Sequence, residues 1–189
     1  MNSIRWGWDH GFPLTTHLNM IALMPDMLPK IALDTSKGRL EVVLYENVAR
    51  VAVASLLDLA ESGFYNGMKF FSPAPQMKLH FGRNDQGEGA GYQITQQVPR
   101  RNRFDAAGRL GLAGTGADNG SDFFLALEAM PHLDEKLPAI GQIVSGLDVL
   151  QQLGPGDQLR AVKVLRGAPA AVDFSKTVTR EETVRLSRS

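Results

Sequence analysis

From Lys30 onward, apolar and polar residues follow a pattern that is typical of β-strands. The runs KIALDT and RLEVVLY are separated only by Ser36-Lys37-Gly38. A glycine at the end of so short a loop permits the positive φ that tight turns need. The pattern therefore predicts an antiparallel hairpin over residues 30–45.

The segment that follows, residues 47–62, has apolar side chains at helical spacing. These positions are Val48, Val51, Ala52, Leu56, Leu59 and Ala60. Their spacing predicts an amphipathic helix with one apolar face. Asn47 is a residue type that caps helix starts, and Gly63 stands where a left-handed C-terminal cap belongs.

Short apolar runs occupy residues 64–142, with Gly, Pro, Asn and Asp between them. The runs are MKFF, MKLHFG, GYQIT, LGLAG, DFFLAL and AIGQIV. Many short strands with turn signals indicate a barrel or a sandwich. GLDVLQQLG then predicts a second short helix and RAVKVLR a last strand. The whole pattern predicts a mainly-β domain with two helices, which can cap the open ends of a barrel.

The pattern also sets domain limits. We expect an N-terminal extension over 1–29 that is poorly ordered, a folded domain over 30–166 and a tail over 167–189. Asp9, His10, Pro13 and Asn19 interrupt the apolar character that an export signal would show. The expected location is cytoplasmic, or periplasmic if residues 1–28 derive from an export signal. No apolar run approaches the roughly 20 residues of a membrane helix.

Composition narrows the candidate chemistry. Lys and Arg total 20, Asp and Glu total 20, and there are no cysteines. The zero net charge removes the broad electrostatic argument for a nucleic-acid or membrane partner. The basic run over residues 99–103 lacks interleaved aromatics and is interpreted as a solvated loop. Without cysteines, the chain has no disulfides, thiolate metal sites or cysteine nucleophile.

Histidines and glycine-rich loops offer no cofactor site. The four histidines are not at metal-ligand spacing: His10, His17, His80 and His132. The glycine-rich segments 87–91 and 114–121 lack the lysine of a P-loop, and no helix pattern follows the first of them. We therefore expect no metal and no cofactor.

Two phenylalanine pairs, Phe70-Phe71 and Phe123-Phe124, lie in the predicted strands. Successive side chains of a strand point to opposite faces. One ring of each pair should therefore enter the core, and the other should face outward. The pattern does not decide which ring does which.

Several separated stretches resemble the cyclophilin-type peptidyl-prolyl cis–trans isomerases. In order they are IALDTSKGRLEVVLYE, the helix before SGFYNG, GRLGLAG, NGSDFF, PHLD and IGQIVSGLDVL, spanning residues 30–166. The resemblance implies a closed eight-stranded antiparallel β-barrel capped by two α-helices. It implies catalysis of rotation about X–Pro bonds, whose barrier is about 18–20 kcal/mol. No cofactor or metal is needed for that reaction.

The resemblance also implies a binding pocket. Phe124 matches the aromatic floor of the family's proline pocket, Met77 stands where the family has a phenylalanine wall, and Leu133 matches an apolar pocket residue. Ala113 matches a backbone-contact position, and Gly114 follows it where the family usually has asparagine. Four further positions complete the predicted substrate-binding set: Phe71, Asp122, His132 and Leu137.

Four positions of the predicted site carry a residue other than the one the family usually has. The family's principal catalytic donor is an arginine, and Ser72 stands in its place. His80 replaces the glutamine that orients that arginine, and we treat both positions as the candidate catalytic pair. His132 replaces a frequent aromatic residue, and Leu137 replaces a frequent pocket histidine. Arg83 or Arg101 could supply the missing donor from a loop.

Three functions remain open. The first is a prolyl isomerase that assists protein folding, with weak turnover because Ser72 cannot act as a charged planar donor. The second is a non-catalytic module that binds proline-containing peptides or unfolded segments. The third is a docking part of an assembly that uses Trp6, Trp8 and Phe12 as contacts. We expect the protein to be a monomer.

Overall fold

The computed structural model describes residues 28–73, 77–94, 98, 103–113 and 119–167. The predictions for residues 1–27 and 168–189 lie outside the described residues. The described elements are β1 (Lys30–Thr35), β2 (Arg39–Leu44), α1 (Arg50–Glu61), β3 (Lys78–Phe81), β4 (Arg109–Leu112), β5 (Phe123–Ala126), a 3₁₀ turn (Pro131–Leu133), β6 (Ala139–Ser145), α2 (Leu147–Leu150) and β7 (Leu159–Arg166). No helix in this described part is long and apolar enough to cross a membrane.

The strands form one antiparallel sheet that curls into a half-barrel. Within the described ranges it has seven strands, in the order β3-β5-β4-β6-β2-β1-β7. A mainly-β fold with two helices is therefore confirmed. The closed eight-stranded barrel is not, and it stays a prediction.

Residues 67–71, which we name the bridging segment, lie between the two edge strands of the sheet. At one end, the Gly67 N–H donates to the Leu159 carbonyl at 2.9 Å, and the Leu159 N–H donates to the Met68 carbonyl at 2.8 Å. At the other end, Phe71 and His80 exchange two backbone hydrogen bonds of 3.0 and 2.7 Å. One short segment thus forms backbone hydrogen bonds with both β3 and β7, although it is not a regular strand.

The predicted hairpin is confirmed. β1 and β2 pair in register from Lys30 opposite Val43 to Asp34 opposite Arg39. Gly38 has a φ of +147° at the end of the loop, where its missing side chain also leaves room for Val149. The glycine is therefore required both by the turn and by the packing of α2 on the hairpin.

The first helix is confirmed, but its start is not where the pattern placed it. α1 begins at Arg50, and Ala49 is its N-cap without a side-chain hydrogen bond. The predicted cap at Asn47 is wrong because residues 45–49 form a turn of their own, in which the Val48 N–H donates to the Tyr45 carbonyl at 2.9 Å. Gly63 has the expected positive φ, +75°, just beyond the end of α1.

Two other predicted elements need correction. GYQIT forms no strand within its described residues. Its hydrogen bonds run to α1 and to the residues just before β5. Tyr92 Oη lies 2.6 Å from Ser55 Oγ, and the Ile94 N–H donates to Asn119 Oδ1 at 2.7 Å. The helix predicted for GLDVLQQLG covers only four residues, Leu147–Leu150.

The main core lies between the concave face of the sheet and α1. Its aromatic part consists of edge-to-face and tilted ring pairs around Phe81. The centroid of the Phe81 ring lies 5.6 Å from that of Tyr65, 6.1 Å from that of Phe70 and 6.0 Å from that of Phe123. Phe70 and Phe123 are therefore the inward members of the two phenylalanine pairs. Phe71 and Phe124 are left on the outer face.

Asp157 organises the turn that holds the bridging segment. Its carboxylate accepts hydrogen bonds from the Gly154 N–H at 2.9 Å and from the Ser36 hydroxyl at 3.0 Å. Its backbone carbonyl accepts from the Phe70 N–H at 2.9 Å. The Gly154 N–H is the main reason that the pKa of Asp157 lies below its ordinary value of 3.8, and Ser36 and Lys37 contribute.

We predict that Asp157→Asn lowers the free energy of unfolding at pH 7. Since the folded state lowers this pKa, the charged carboxylate stabilises the fold above about pH 3.8, and the benefit disappears as pH falls through the folded-state pKa. Urea midpoints of the wild type and the variant, measured from pH 7 to pH 2, should converge at the acidic end. A constant difference across that range would mean that the charge contributes nothing.

Candidate active site

The register of β3 against β5 creates two opposite aromatic faces. Phe81 lies opposite Phe123, and both point into the main core, while His80 lies opposite Phe124 on the outer face. A second apolar cluster, named here the outer cluster, forms around Phe124. Its buried members are Phe104, Ala113, Phe124, Ala126, Met130 and Ala139, and Met77, Leu133 and Leu137 pack against it.

Phe124 is the centre of the outer cluster. Its ring lies nearly parallel to Phe104, at 5.4 Å between centroids, and to His80, at 5.5 Å. Gly111 of β4 lies directly beneath it, and a Cβ at that position would overlap the Phe124 ring. The ring exposes 0% of its surface. A ligand therefore reaches Phe124 only after neighbouring side chains shift.

Phe104 is a site residue that the sequence did not reveal. Its backbone is tied to the segment around the 3₁₀ turn. Its N–H donates to Asp134 Oδ1 at 2.7 Å, and its carbonyl accepts from the Met130 N–H at 2.7 Å. The only signal in the sequence was a single aromatic residue after a basic run, because the contact with Phe124 joins distant parts of the chain.

A buried polar network lies beside the outer cluster. Asp122 exposes only 6% of its surface and accepts a hydrogen bond from Arg83 Nε at 2.7 Å. Its other oxygen lies 3.2 Å from His80 Nδ1. A carboxylate oxygen can only accept, so Nδ1 carries the proton in this pair. The predicted substrate contact of Asp122 thus competes with two partners inside the protein.

His80 presents its other ring nitrogen to the outer face. Nε2 is one of two buried side-chain polar atoms without a hydrogen-bond partner among the described residues. The imidazole packs between Phe124 and Phe71, with its centroid 5.2 Å from that of Phe71. Because an unsatisfied buried polar atom is costly, this nitrogen is an available contact for a ligand donor.

Ser72 holds the chain beside the site. Its hydroxyl donates to the Lys78 carbonyl at 2.6 Å. The Lys78 ammonium lies 5.3 Å from the centroid of the Phe124 ring. The position where the resemblance expects an arginine is thus occupied by a short side chain that bonds to backbone, and a lysine approaches the ring from nearby.

The structure brings most of the predicted site residues together. Ala113 is buried, and its N–H donates to the Asp122 carbonyl at 2.8 Å. The Leu137 N–H donates to the Leu133 carbonyl at 3.1 Å, which keeps these two side chains on one turn. His132 is exposed on the 3₁₀ turn and is not a member of the outer cluster.

Other predicted positions cannot be placed. Gly114 and Arg101 lie outside the described residues. Within the part of the chain that is described, no group of three or more His, Asp or Glu side chains could hold a metal ion.

Comparison with known proteins gives consistent results. The family described as cyclophilin-type peptidyl-prolyl cis–trans isomerase/CLD matches residues 30–168. Peptidyl-prolyl cis-trans isomerase B of Bacillus subtilis is 32% identical over 130 residues, covering 67% of this chain and 91% of that protein. A peptidyl-prolyl cis-trans isomerase of Synechococcus elongatus is 31% identical over 141 residues, covering 72% of this chain and 96% of that protein.

The fold is also similar to a solved structure. A cyclophilin-type isomerase of Cryptosporidium parvum, crystallised in the presence of the dipeptide Ala-Pro, superposes with a TM-score of 0.65. The match covers 73% of this chain and 99% of that chain at 20% identity. With the family match over most of the chain, these findings identify the protein: it belongs to the cyclophilin-type peptidyl-prolyl cis–trans isomerases.

Proposed function

We propose that this isomerase binds the proline ring of an X–Pro segment against the outer cluster, and that its turnover is slow. The observation that carries the proposal is the convergence of Phe124, Met77, Leu133 and Leu137 in one apolar cluster outside the main core. The polar network of His80 and Asp122 borders it directly. A pocket with an apolar floor and a few polar groups at its rim suits a proline residue and its flanking carbonyls.

Access to the floor requires local movement. Phe124 is fully buried, while Met77, Lys78 and Leu133 are partly exposed around it. Met and Lys have long unbranched side chains that change rotamer readily. We infer that these side chains swing aside when a proline ring enters, while the stacked rings beneath stay in place.

Slow turnover follows from the lack of an available hydrogen-bond donor at position 72. In the twisted state the imide loses its resonance, and its nitrogen becomes a better hydrogen-bond acceptor. A preorganised donor aimed at such a developing charge accounts for about 100- to 1,000-fold in rate. Ser72 cannot serve as this donor in its present position, because its hydroxyl already donates to the Lys78 carbonyl.

The same observation supports a second candidate, a proline-peptide binder without catalysis. Binding depends on the apolar cluster, whereas catalysis depends on stabilising the twisted state more than either planar state. A protein that has the apolar cluster but does not stabilise the twisted state binds proline peptides and leaves their isomerisation rate unchanged. Activity measurements separate the two candidates.

We also propose that the bridging segment serves as the eighth strand of a closed barrel. Its hydrogen bonds to the two edges of the sheet support this proposal. Phe71, the last residue of this segment, lies beside His80 at the rim of the proposed site. The proposed active site would then lie at the seam where the barrel closes.

We predict that Ser72→Arg raises kcat/KM by about tenfold or more, because it supplies a charged planar donor. The measurement is NMR exchange spectroscopy on a short Ala-Pro peptide. Ser72→Met serves as the control for side-chain bulk without charge and should not raise the rate.

Each result bears on a different candidate. A measurable wild-type rate that Ser72→Arg increases supports slow turnover. A null wild type with an active Ser72→Arg would establish the non-catalytic binder. A wild-type rate that equals that of the Bacillus subtilis relative, and that the substitution does not change, would contradict slow turnover.

We predict that Leu133→Ala weakens binding of the same peptide about fivefold. The lost methyl groups contribute about 0.8 kcal/mol each when fully buried, and this side chain is only partly covered. Titration followed by NMR chemical shifts gives the affinity. Leu165→Ala, at a leucine on β7 that is 46% exposed, is the matched control and should leave it unchanged. Equal affinities for both variants would place the peptide elsewhere.

A further inference from the structure

Lys78 carries a positive charge onto the face of Phe124. It is the first residue of β3, two positions before His80, so both side chains lie on the outer face of the sheet. Its Nζ is 5.3 Å from the Phe124 centroid. Any group that packs on that face of the ring therefore meets the ammonium.

The backbone of Lys78 is fixed, while the residue is partly exposed. The Ser72 hydroxyl donates to the Lys78 carbonyl at 2.6 Å, and the strand pairs Lys78 with Ala126 of β5. The Lys78 ammonium is in no ion pair with a described residue. A cation held over a ring face and lacking a carboxylate partner keeps its hydrogen-bond donors available.

Arg83, another described cation near the site, is bound to groups of the protein. Its Nε donates to the buried Asp122 carboxylate at 2.7 Å, and its Nη1 donates to the Gly87 carbonyl at 2.8 Å. Moving it toward a ligand would leave Asp122 with less compensation in a buried position, which is unfavourable. Moving Lys78 toward a ligand leaves no described carboxylate without its partner.

We propose that Lys78 is the hydrogen-bond donor for the twisted prolyl bond in this enzyme, in place of the arginine that Ser72 replaces. The proposal rests on the proposed function, namely that the proline ring binds against Phe124. When the ring enters, the ammonium leaves the face of Phe124 and remains beside the prolyl nitrogen. One Nζ–H donates to the nitrogen lone pair, which becomes available only as the imide twists.

No covalent bond is made or broken in this step, and the proton stays on Nζ. The lysine is a point charge on a flexible stem, whereas an arginine is a planar fork with several donors. A donor that is ordered only on binding is less effective than a preorganised one. The proposal therefore predicts activity without an arginine, at a lower level than a preorganised donor would give.

Lys78→Met tests the proposal with a side chain of similar length and no charge. We expect kcat/KM on the Ala-Pro peptide to fall about tenfold, while the peptide affinity changes less than about twofold, because the donor acts mainly in the twisted state. Lys78→Arg should retain most of the rate. Lys136→Met, which removes a lysine from the turn that carries Leu133 and Leu137, is the charge-matched control and should behave as the wild type.

The same substitution in the Ser72→Arg background gives the second test. With an arginine at position 72, Lys78 is redundant and the two cations repel, so Lys78→Met should not lower the rate there. Such non-additivity indicates that two residues serve one role. A purely structural role for Lys78 would lower the rate equally in both backgrounds and would overturn the proposal.

The outcomes separate the two proposals. If the wild type and Ser72→Arg are active and Lys78→Met equals the wild type, Lys78 is not the donor, but the proposed function stands. If Ser72→Arg is active and the wild type is inactive, Lys78 again is not the donor, and the protein is a binder. If all variants are inactive and no peptide binds, the proposed site itself is wrong.

Discussion

The pairing of β3 with β5 is the constraint on which both the core and the site depend. With His80 fixed opposite Phe124, strict alternation along the two strands sends Phe81 and Phe123 into the main core. The same alternation leaves His80 and Phe124 on the outer face. A shift of one residue would exchange the two sets, burying an imidazole in the apolar core and exposing the core rings. The site is therefore stabilised by the same strand pairing that stabilises the sheet and its core.

The charged groups of the site differ from those that the family resemblance implies. The resemblance implies one arginine as the hydrogen-bond donor. In the described site, Arg83 is instead paired with the Asp122 carboxylate. A separate lysine, Lys78, lies at the edge of the outer cluster. The ion pair between the partly exposed Arg83 and the buried Asp122 carboxylate fixes the loop that follows β3, and drawing Arg83 toward a ligand is unfavourable for that carboxylate.

The bridging segment connects the fold to the site. Its hydrogen bonds to β7 depend on the turn that Asp157 organises, and its other end pairs Phe71 with His80. The aromatic neighbour of the imidazole is thus positioned by contacts on the far edge of the sheet. This link explains why a surface turn that carries no candidate chemistry still matters for the geometry around His80.

Local patterns determined the hairpin around Gly38, the helix that ends before Gly63 and the mainly-β class, because turns and amphipathic periods depend on neighbouring residues. The family motifs located Phe124, Leu133 and Ser72 in sequence. Tertiary structure alone decided which ring of each phenylalanine pair faces inward, since the register pairs Phe81 with Phe123, residues that are far apart in the sequence. It also brought Phe104 and Lys78 onto Phe124. Sequence specifies which side chains are present, and long-range pairing decides which of them meet.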